Sequence, residues 1–205
     1  NMTSIFRYVS HESKIIDTNV KETVIYLKDD VYPVDVKLIY QTFAKENIIK
    51  TWTEISHEEK KPVTISRYAS SMLYFENLEY YLTEFSGDWA METRMTTQPL
   101  HFGKKILETK LGSRAAMHVS PFFELGLGQP AQENQGTVVM GTLAWPGNFQ
   151  FTFEVDNSGN LRVISGINPY ASNYELNPKE KFITPEFIFT ISDEGTGKAS
   201  RNLHS

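Results

Sequence analysis

The chain has 205 residues, a formal net charge of −5 and no cysteine, which excludes disulfides, thiolate zinc sites and thiol nucleophiles. Its length allows a substantial core, and an aromatic content of 13% favours strands over helices. The negative charge is spread along the sequence, which argues against nucleic acid or anionic membranes as partners and favours a sugar or another protein domain.

Predicted strands run through most of the sequence. Residues 5–9 have the composition of a strand interior, so we expect the domain to be truncated at its start. Apolar side chains alternate with polar ones in 34–40 and again in 149–155, as in strands with one apolar face. The segment 156–160, Asp-Asn-Ser-Gly-Asn, predicts a hairpin turn. Further β-branched and aromatic segments predict strands at 22–27, 47–56, 62–68, 79–85, 90–97, 105–110, 121–125, 137–145, 161–166 and 185–191.

The pattern as a whole predicts an all-β fold, a large sandwich of two stacked antiparallel sheets, in a single domain over residues 1–205. The best helical candidate is short and lies at 197–205. No apolar run reaches the ~18 residues of a membrane span. Residues 1–4 are not a signal peptide, so we expect either a cytoplasmic protein or one whose leader has been removed.

Motifs for catalysis, cofactors or metals are not found in the sequence. The five histidines include no pair at the i,i+2 or i,i+4 spacing that would place two imidazoles on one face. The glycine pattern at 126–131 fails the dinucleotide fingerprint, and the pattern at 195–200 fails the phosphate-binding loop. The sequence therefore predicts no catalytic residue, no metal ligand and no cofactor.

Acidic pairs need separate consideration, because two carboxylates suffice for glycoside hydrolysis. Asp88 and Glu92 flank Trp89, an arrangement compatible with a sugar site. The favoured interpretation is a loop at a strand edge with Trp89 in the core. The pairs at 29–30 and 58–59 lie in polar segments that we expect to be solvated turns.

Tryptophans beside small polar residues are candidate platforms for sugar rings. Trp89 and Trp145, together with Asn148, are therefore candidate substrate-binding residues. Packing is the favoured interpretation for each tryptophan. Trp145 ends an apolar run and precedes a Pro-Gly-Asn reversal, so we expect it to cap the space between the two sheets. Trp52 lies in the middle of a predicted strand and is expected in the core.

Several blocks of the sequence, taken in order, resemble the N-terminal domain of glycoside hydrolase family 36. The blocks are Tyr81 to Trp89 with Glu92, Gly112-Ser113 with Pro121-Phe122-Phe123, Gly141 to Phe149, Gly166 to Pro169, Phe182 to Glu186, Ser192 to Gly195 and Ser200 to His204. Residues 5–78 are similar more loosely, mainly through the segment 7–11. Ser120, Arg114-Ala115 and Pro146 depart from the usual family pattern, and the variant is most similar to members from the Bacteroides group.

The resemblance implies an α-galactosidase built from an N-terminal sandwich, a catalytic (β/α)₈ barrel and a small C-terminal β domain. In this family both catalytic aspartates, nucleophile and acid/base, belong to the barrel, whose motifs do not occur in this sequence. The implied partners are the chain's own catalytic barrel and, in a full-length enzyme, further copies in a homo-oligomer. The resemblance also implies that this fragment alone is inactive.

Three functional hypotheses follow. The first is a non-catalytic scaffold and assembly domain of a retaining α-galactosidase that hydrolyses terminal α-galactosides. The second is a stand-alone carbohydrate-binding module that uses surface tryptophans, and the third is a structural sandwich in a relative of changed specificity. A Bacteroides-like protein would be periplasmic or secreted, and otherwise we expect a cytoplasmic one.

Overall fold

The computed structural model describes residues 4–88, 91–114 and 117–204, and strands dominate this part of the chain. The strands are β1 (Phe6–Ile15), β2 (Val20–Asp29), β3 (Val34–Phe43), β4 (Ile48–His57), β5 (Val63–Ile65), β6 (Ser71–Phe75), β7 (Tyr80–Asp88), β8 (Met91–Leu100), β9 (Gly103–Glu108), β10 (Val119–Leu127), β11 (Thr137–Leu143), β12 (Phe149–Val155), β13 (Leu161–Ile167), β14 (Tyr174–Leu176), β15 (Lys181–Ile183) and β16 (Phe187–Ser192). Helix α1 (Gly195–Leu203) follows the last strand, and a 3₁₀ turn occupies Gly112–Arg114.

Two stacked antiparallel sheets form the architecture of the described residues. The larger sheet has ten strands in the order β1-β2-β3-β4-β16-β11-β10-β7-β8, with β15 also paired to β4. The smaller sheet has four strands in the order β6-β13-β12-β9, and β5 pairs with β14 in a separate two-stranded ribbon. The prediction of an all-β antiparallel sandwich is therefore confirmed.

The core lies between the two sheets, where alternate residues of their central strands meet. On β12, Phe149, Phe151 and Phe153 point inward and are buried, which confirms the alternation predicted for 149–155. Phe123 of β10 packs edge-to-face against Phe151 and Phe153, with ring centroids 5.2 Å and 5.0 Å apart. Edge-to-face aromatic pairs stabilise a core beyond the area that they bury.

Gly141 explains how this aromatic core fits against β11. A Cβ atom at this position would lie 2.6 Å from Cζ of Phe187 and 2.8 Å from Cζ of Phe123. Both rings belong to the buried cluster, so they have little room to move aside. Glycine at 141 therefore lets two phenyl rings approach the backbone of the central strand.

Helix α1 packs on the outer face of the larger sheet. Ala199 contacts Val138 and Met140, whose side chains alternate with the core residues of β11. The side-chain amide of Asn202 donates a 3.0 Å hydrogen bond to the hydroxyl oxygen of Thr190 on β16. The short helix predicted at 197–205 is confirmed, although it begins at residue 195. Among the described residues, no helix has the length and apolar character that crossing a bilayer requires.

The structure confirms one of the turn predictions and contradicts another. The hairpin at 156–160 is confirmed, since Asp156 accepts hydrogen bonds from the N–H groups of Ser158 and Asn160. Asp29, however, is buried, so its prediction as a solvated turn residue is wrong. Its carboxylate accepts the N–H groups of Val31 and Tyr32 at 2.8 Å each, and these bonds, led by the one from Tyr32, lower its pKa.

Candidate functional site

Three of the sequence blocks meet at one end of the four-stranded sheet. The side-chain oxygen of Asn148 accepts a 2.7 Å hydrogen bond from the N–H of Gly112. The backbone carbonyl of Asn148 accepts a 3.0 Å hydrogen bond from the N–H of Asn168. We name Glu108, Thr109, Gly112, Asn148 and Asn168 the asparagine junction. It fixes the loops that follow β9 and β13 to the turn that precedes β12.

Asn168 is the centre of the junction and is only 1% exposed. Its side-chain nitrogen donates to a carboxylate oxygen of Glu108 at 3.0 Å and to the backbone carbonyl of Thr109 at 3.1 Å. Its side-chain oxygen accepts the N–H of Tyr170 at 2.9 Å. Because a buried amide is costly unless its donors and acceptors are paired, these three bonds hold the loop after β13 in one conformation.

Glu108 carries the negative charge of the junction. The ammonium of Lys110 lies 2.7 Å from one carboxylate oxygen, and the side chains of Gln150 and Asn168 donate to the other. The Lys110 contact is the main cause of a lowered Glu108 pKa, and the two amides add to it. Glu108 is therefore an ionised structural acceptor and is not suited to donate a proton as a glycosidase acid does.

Trp145 lies beside the junction but outside the core. It is 38% exposed, so the expectation that it caps the space between the two sheets is wrong. The strand β11 ends at the buried residue Leu143, and the chain leaves the sheet before Trp145. The indole instead packs on its own turn, where a Cβ on Gly147 would lie 2.7 Å from the indole nitrogen.

Of the remaining sequence candidates, Asp88 is placed by the structure and the other two are not. Trp89 lies outside the described residues, and so does the side chain of Glu92. Asp88 ends β7, is exposed, and has one carboxylate oxygen 4.0 Å from Nδ1 of His118. The substrate-binding role of Trp89, Trp145 and Asn148 stays a prediction.

A buried carboxylate that sequence analysis missed is Glu124 on β10. It is 7% exposed and shares the outer face of the sheet with Met140, which packs against α1. Burial raises the pKa of Glu124, and the nearby carboxylate of Glu133 raises it further. These are properties of a catalytic acid. At 7% exposure, however, Glu124 presents little of its surface to a substrate in solution.

The histidine at the end of β4 has a structural role. His57 is buried, and its Nε2 lies 2.9 Å from the carbonyl oxygen of Leu176 while its Nδ1 accepts the N–H of Glu59. Within residues 4–88, 91–114 and 117–204, no three histidine or acidic side chains are grouped so that they could hold a metal ion. The chemistry available at the asparagine junction is thus recognition by exposed side chains on a fixed backbone.

Comparison with known proteins decides the family. Residues 1–177 match the model of the glycosyl hydrolase family 36 N-terminal domain. The chain belongs to this family. The chain also matches solved structures of α-galactosidases. One is a variant of AgaA from Geobacillus stearothermophilus in complex with stachyose, with a TM-score of 0.92 and 26% identity. The α-galactosidase of Lactobacillus brevis matches 98% of the chain with a TM-score of 0.90 and 25% identity.

The chain corresponds to a part of each relative. It is 30% identical to Geobacillus stearothermophilus AgaA over 198 residues, which are 96% of this chain and 26% of that protein. The two solved structures named above are covered over 30% and 29% of their chains. The chain therefore spans about a quarter of the length of the curated relatives that it matches. The finer prediction of a Bacteroides-like variant stays a prediction.

Proposed function

We propose that this chain is the non-catalytic N-terminal scaffold of a retaining α-galactosidase that hydrolyses terminal α-galactosides through a covalent glycosyl-enzyme intermediate. The observation that carries the proposal is the match to the family 36 N-terminal domain, together with relatives that are α-galactosidases about four times as long. The chemistry of two described acids supports it, because Glu108 is ion-paired and Glu124 is almost fully buried.

The scaffold role needs a surface that docks the catalytic domain, and we assign this role to the exposed side chains around the asparagine junction. Leu111, Trp145 and Tyr170 are all exposed there. Leu111 precedes the glycine that is bound by Asn148, and the N–H of Tyr170 is bound by Asn168. Lys110 lies 5.2 Å from the centre of the Tyr170 ring. Aromatic anchors held on a rigid backbone are typical of the energetic centre of an interface.

The edge of the larger sheet is a second surface, at which a further copy of the chain could pair. Strand β1 is the edge of the ten-stranded sheet and is exposed along its ten residues. Its pairing with β2 shifts register between Tyr8 and Ser10, and it carries Arg7, Glu12 and Lys14. Bulges and charges of this kind protect an edge strand from pairing with another chain. The junction is therefore the better docking surface, and homo-oligomerisation of the full-length enzyme stays a prediction.

The alternative of a stand-alone carbohydrate-binding module that uses tryptophans has less support. The side-chain oxygen of Asn148 is bonded to Gly112, and Trp145 packs on its own turn. The family match names an N-terminal domain of glycosyl hydrolases. These observations favour a domain of a larger enzyme over a stand-alone carbohydrate-binding module.

A chimera tests the scaffold proposal. This chain replaces the corresponding residues of AgaA, and the chimera is compared with its Trp145→Glu variant and with a Tyr74→Glu control on the outer face of the smaller sheet. We expect α-galactosidase activity in the chimera and in the control, and loss of activity or of solubility in Trp145→Glu, because the charge is placed in a docked surface. Equal activity and equal melting temperature in the two variants would contradict docking at the junction.

A further inference from the structure

A cavity lies at the opposite end of β12 from the asparagine junction. Its volume is about 540 Å³, and it is bounded by the loop before β7, the turn between β8 and β9, and the hairpin between β12 and β13. Cavities that bind small molecules in proteins typically measure roughly 300–1,000 Å³. We name this region the Phe102 cavity; the lining residues that matter below are Leu78, Glu79, Tyr81, His101, Phe102 and Asn157.

The base of the Phe102 cavity is fixed by Tyr80. This residue is 2% exposed, and its hydroxyl lies 3.0 Å from the carbonyl oxygen of Phe75 and 3.1 Å from that of Gly159. The same hydroxyl accepts the N–H of Leu78 at 3.3 Å. One phenol therefore joins the loop before β7 to the hairpin after β12. The cavity walls are pre-organised, so binding requires little ordering of the protein.

The rim of the cavity presents an aromatic face to solvent. Phe102 is 77% exposed and lies in the short turn between β8 and β9. Gly103, which follows it, has a φ of 121° that other residues rarely adopt, so the backbone turns sharply there. Leu78 is also exposed on the rim. An apolar ring displayed beside a cavity is a surface that a ligand with a flat apolar face can cover.

The hydrogen-bonding side chains of the cavity include one carboxylate, that of Glu79. One carboxylate oxygen of Glu79 accepts the hydroxyl of Tyr81 at 3.0 Å, and the backbone carbonyl of Glu79 accepts the N–H of Gly128. Both contacts hold Glu79 in place at the cavity wall. The side chains of His101 and Asn157 complete the polar lining. A carboxylate repels phosphates and other anions and accepts hydrogen bonds, which a neutral ligand rich in hydroxyl groups can donate.

We propose that the Phe102 cavity is a carbohydrate-binding site that holds a pyranose ring of a neutral oligosaccharide. The apolar face of the ring covers Phe102, and its hydroxyl groups donate to Glu79 and exchange hydrogen bonds with His101 and Asn157. This site is distinct from the tryptophans singled out in the sequence, and it does not depend on the scaffold role proposed above. It would hold a sugar chain on the N-terminal domain of the enzyme without catalysing its hydrolysis.

Titration of this chain with raffinose, followed by ¹⁵N–¹H NMR, tests the site. We expect saturable shifts for residues 78–81, 101–103 and 156–159, and Phe102→Ala should weaken the affinity by about tenfold or more, because it removes the ring that the sugar covers. Tyr170→Ala is the matched control, since it removes an exposed aromatic side chain from the other end of the sandwich. The melting temperature of each variant reports whether it has folded.

Binding that is lost in Phe102→Ala and kept in Tyr170→Ala and Phe102→Trp supports the site. Absence of saturable binding up to the solubility limit of raffinose overturns it, and so does binding that Phe102→Ala leaves unchanged. An inactive chimera in the scaffold experiment has no bearing on these results, because the titration uses this chain alone.

Discussion

Replacement of Asn168 tests whether the asparagine junction holds the loops together. Asn168→Ala removes two hydrogen bonds donated by the side-chain nitrogen and one accepted by its oxygen. A typical intramolecular hydrogen bond contributes about 1 kcal/mol net, so the three together predict a loss of about 3 kcal/mol in the free energy of unfolding. For a domain of this size, each 1 kcal/mol lowers the melting temperature by roughly 2–4 °C.

A substitution that adds a negative charge at position 168 is a more sensitive test. Asn168→Asp keeps the shape but places a carboxylate against Glu108 and against the carbonyl of Thr109. We expect it to destabilise the protein at least as much as Asn168→Ala at neutral pH. Urea unfolding measures both variants, with Asn157→Ala on the exposed hairpin as the control. A loss below about 1 kcal/mol for Asn168→Ala, or an Asp variant more stable than the Ala variant, would refute the reasoning.

Three further predictions concern the core, the buried acid and the exposed tryptophan. Gly141→Ala should destabilise the protein by about 1–3 kcal/mol, because the new methyl group would overlap the rings of Phe123 and Phe187; an unchanged urea midpoint would contradict this. Glu124→Gln should stabilise the protein at pH 7. The raised pKa of Glu124 means that the folded state holds the proton of this side chain more tightly than the unfolded state does. Protonated Glu124 therefore contributes its full stability below the ordinary glutamate pKa, and this stability is lost as the pH rises through the pKa of the folded state. The stability gained by the glutamine should therefore vanish in acid, and a gain that is independent of pH would contradict the assignment. Trp145→Ala should cost less than about 1.5 kcal/mol in this isolated chain, against roughly 3–5 kcal/mol for Phe187→Ala, because the tryptophan packs on its own turn; equal melting temperatures for the two variants would show that Trp145 belongs to the core.

Period-two alternation predicts the fold well wherever one face of a strand is apolar. On β12, inward phenylalanines alternate with polar outward residues, and the strand was predicted with its observed bounds. β6 was missed because both of its faces are apolar: Leu73 and Phe75 pack against the core while Met72 and Tyr74 are exposed. The short strands β14 and β15 have three residues each, which is too few for a periodicity to register.

The candidate site is harder to predict from the sequence than the fold, because its contacts join residues that are far apart along the chain. The block containing Asn148 was recognised, but nothing in the spacing of Asn148, Asn168 and Glu108 indicates that they meet. Glu124 was missed for a similar reason, since its burial depends on residues outside its own strand, among them Met140, which pairs with it on β11. Trp145 was misplaced because the sequence does not show that β11 leaves the sheet at Leu143.

The proposed scaffold role requires that this family 36 N-terminal domain carries no catalytic centre of its own. Hydrolysis of a chromogenic α-galactoside by the purified chain tests it most directly, with AgaA as the positive control. We predict no release of the chromophore above the buffer rate at any pH at which the chain remains folded. Turnover that persists through purification and disappears in Asp88→Asn would contradict the claim.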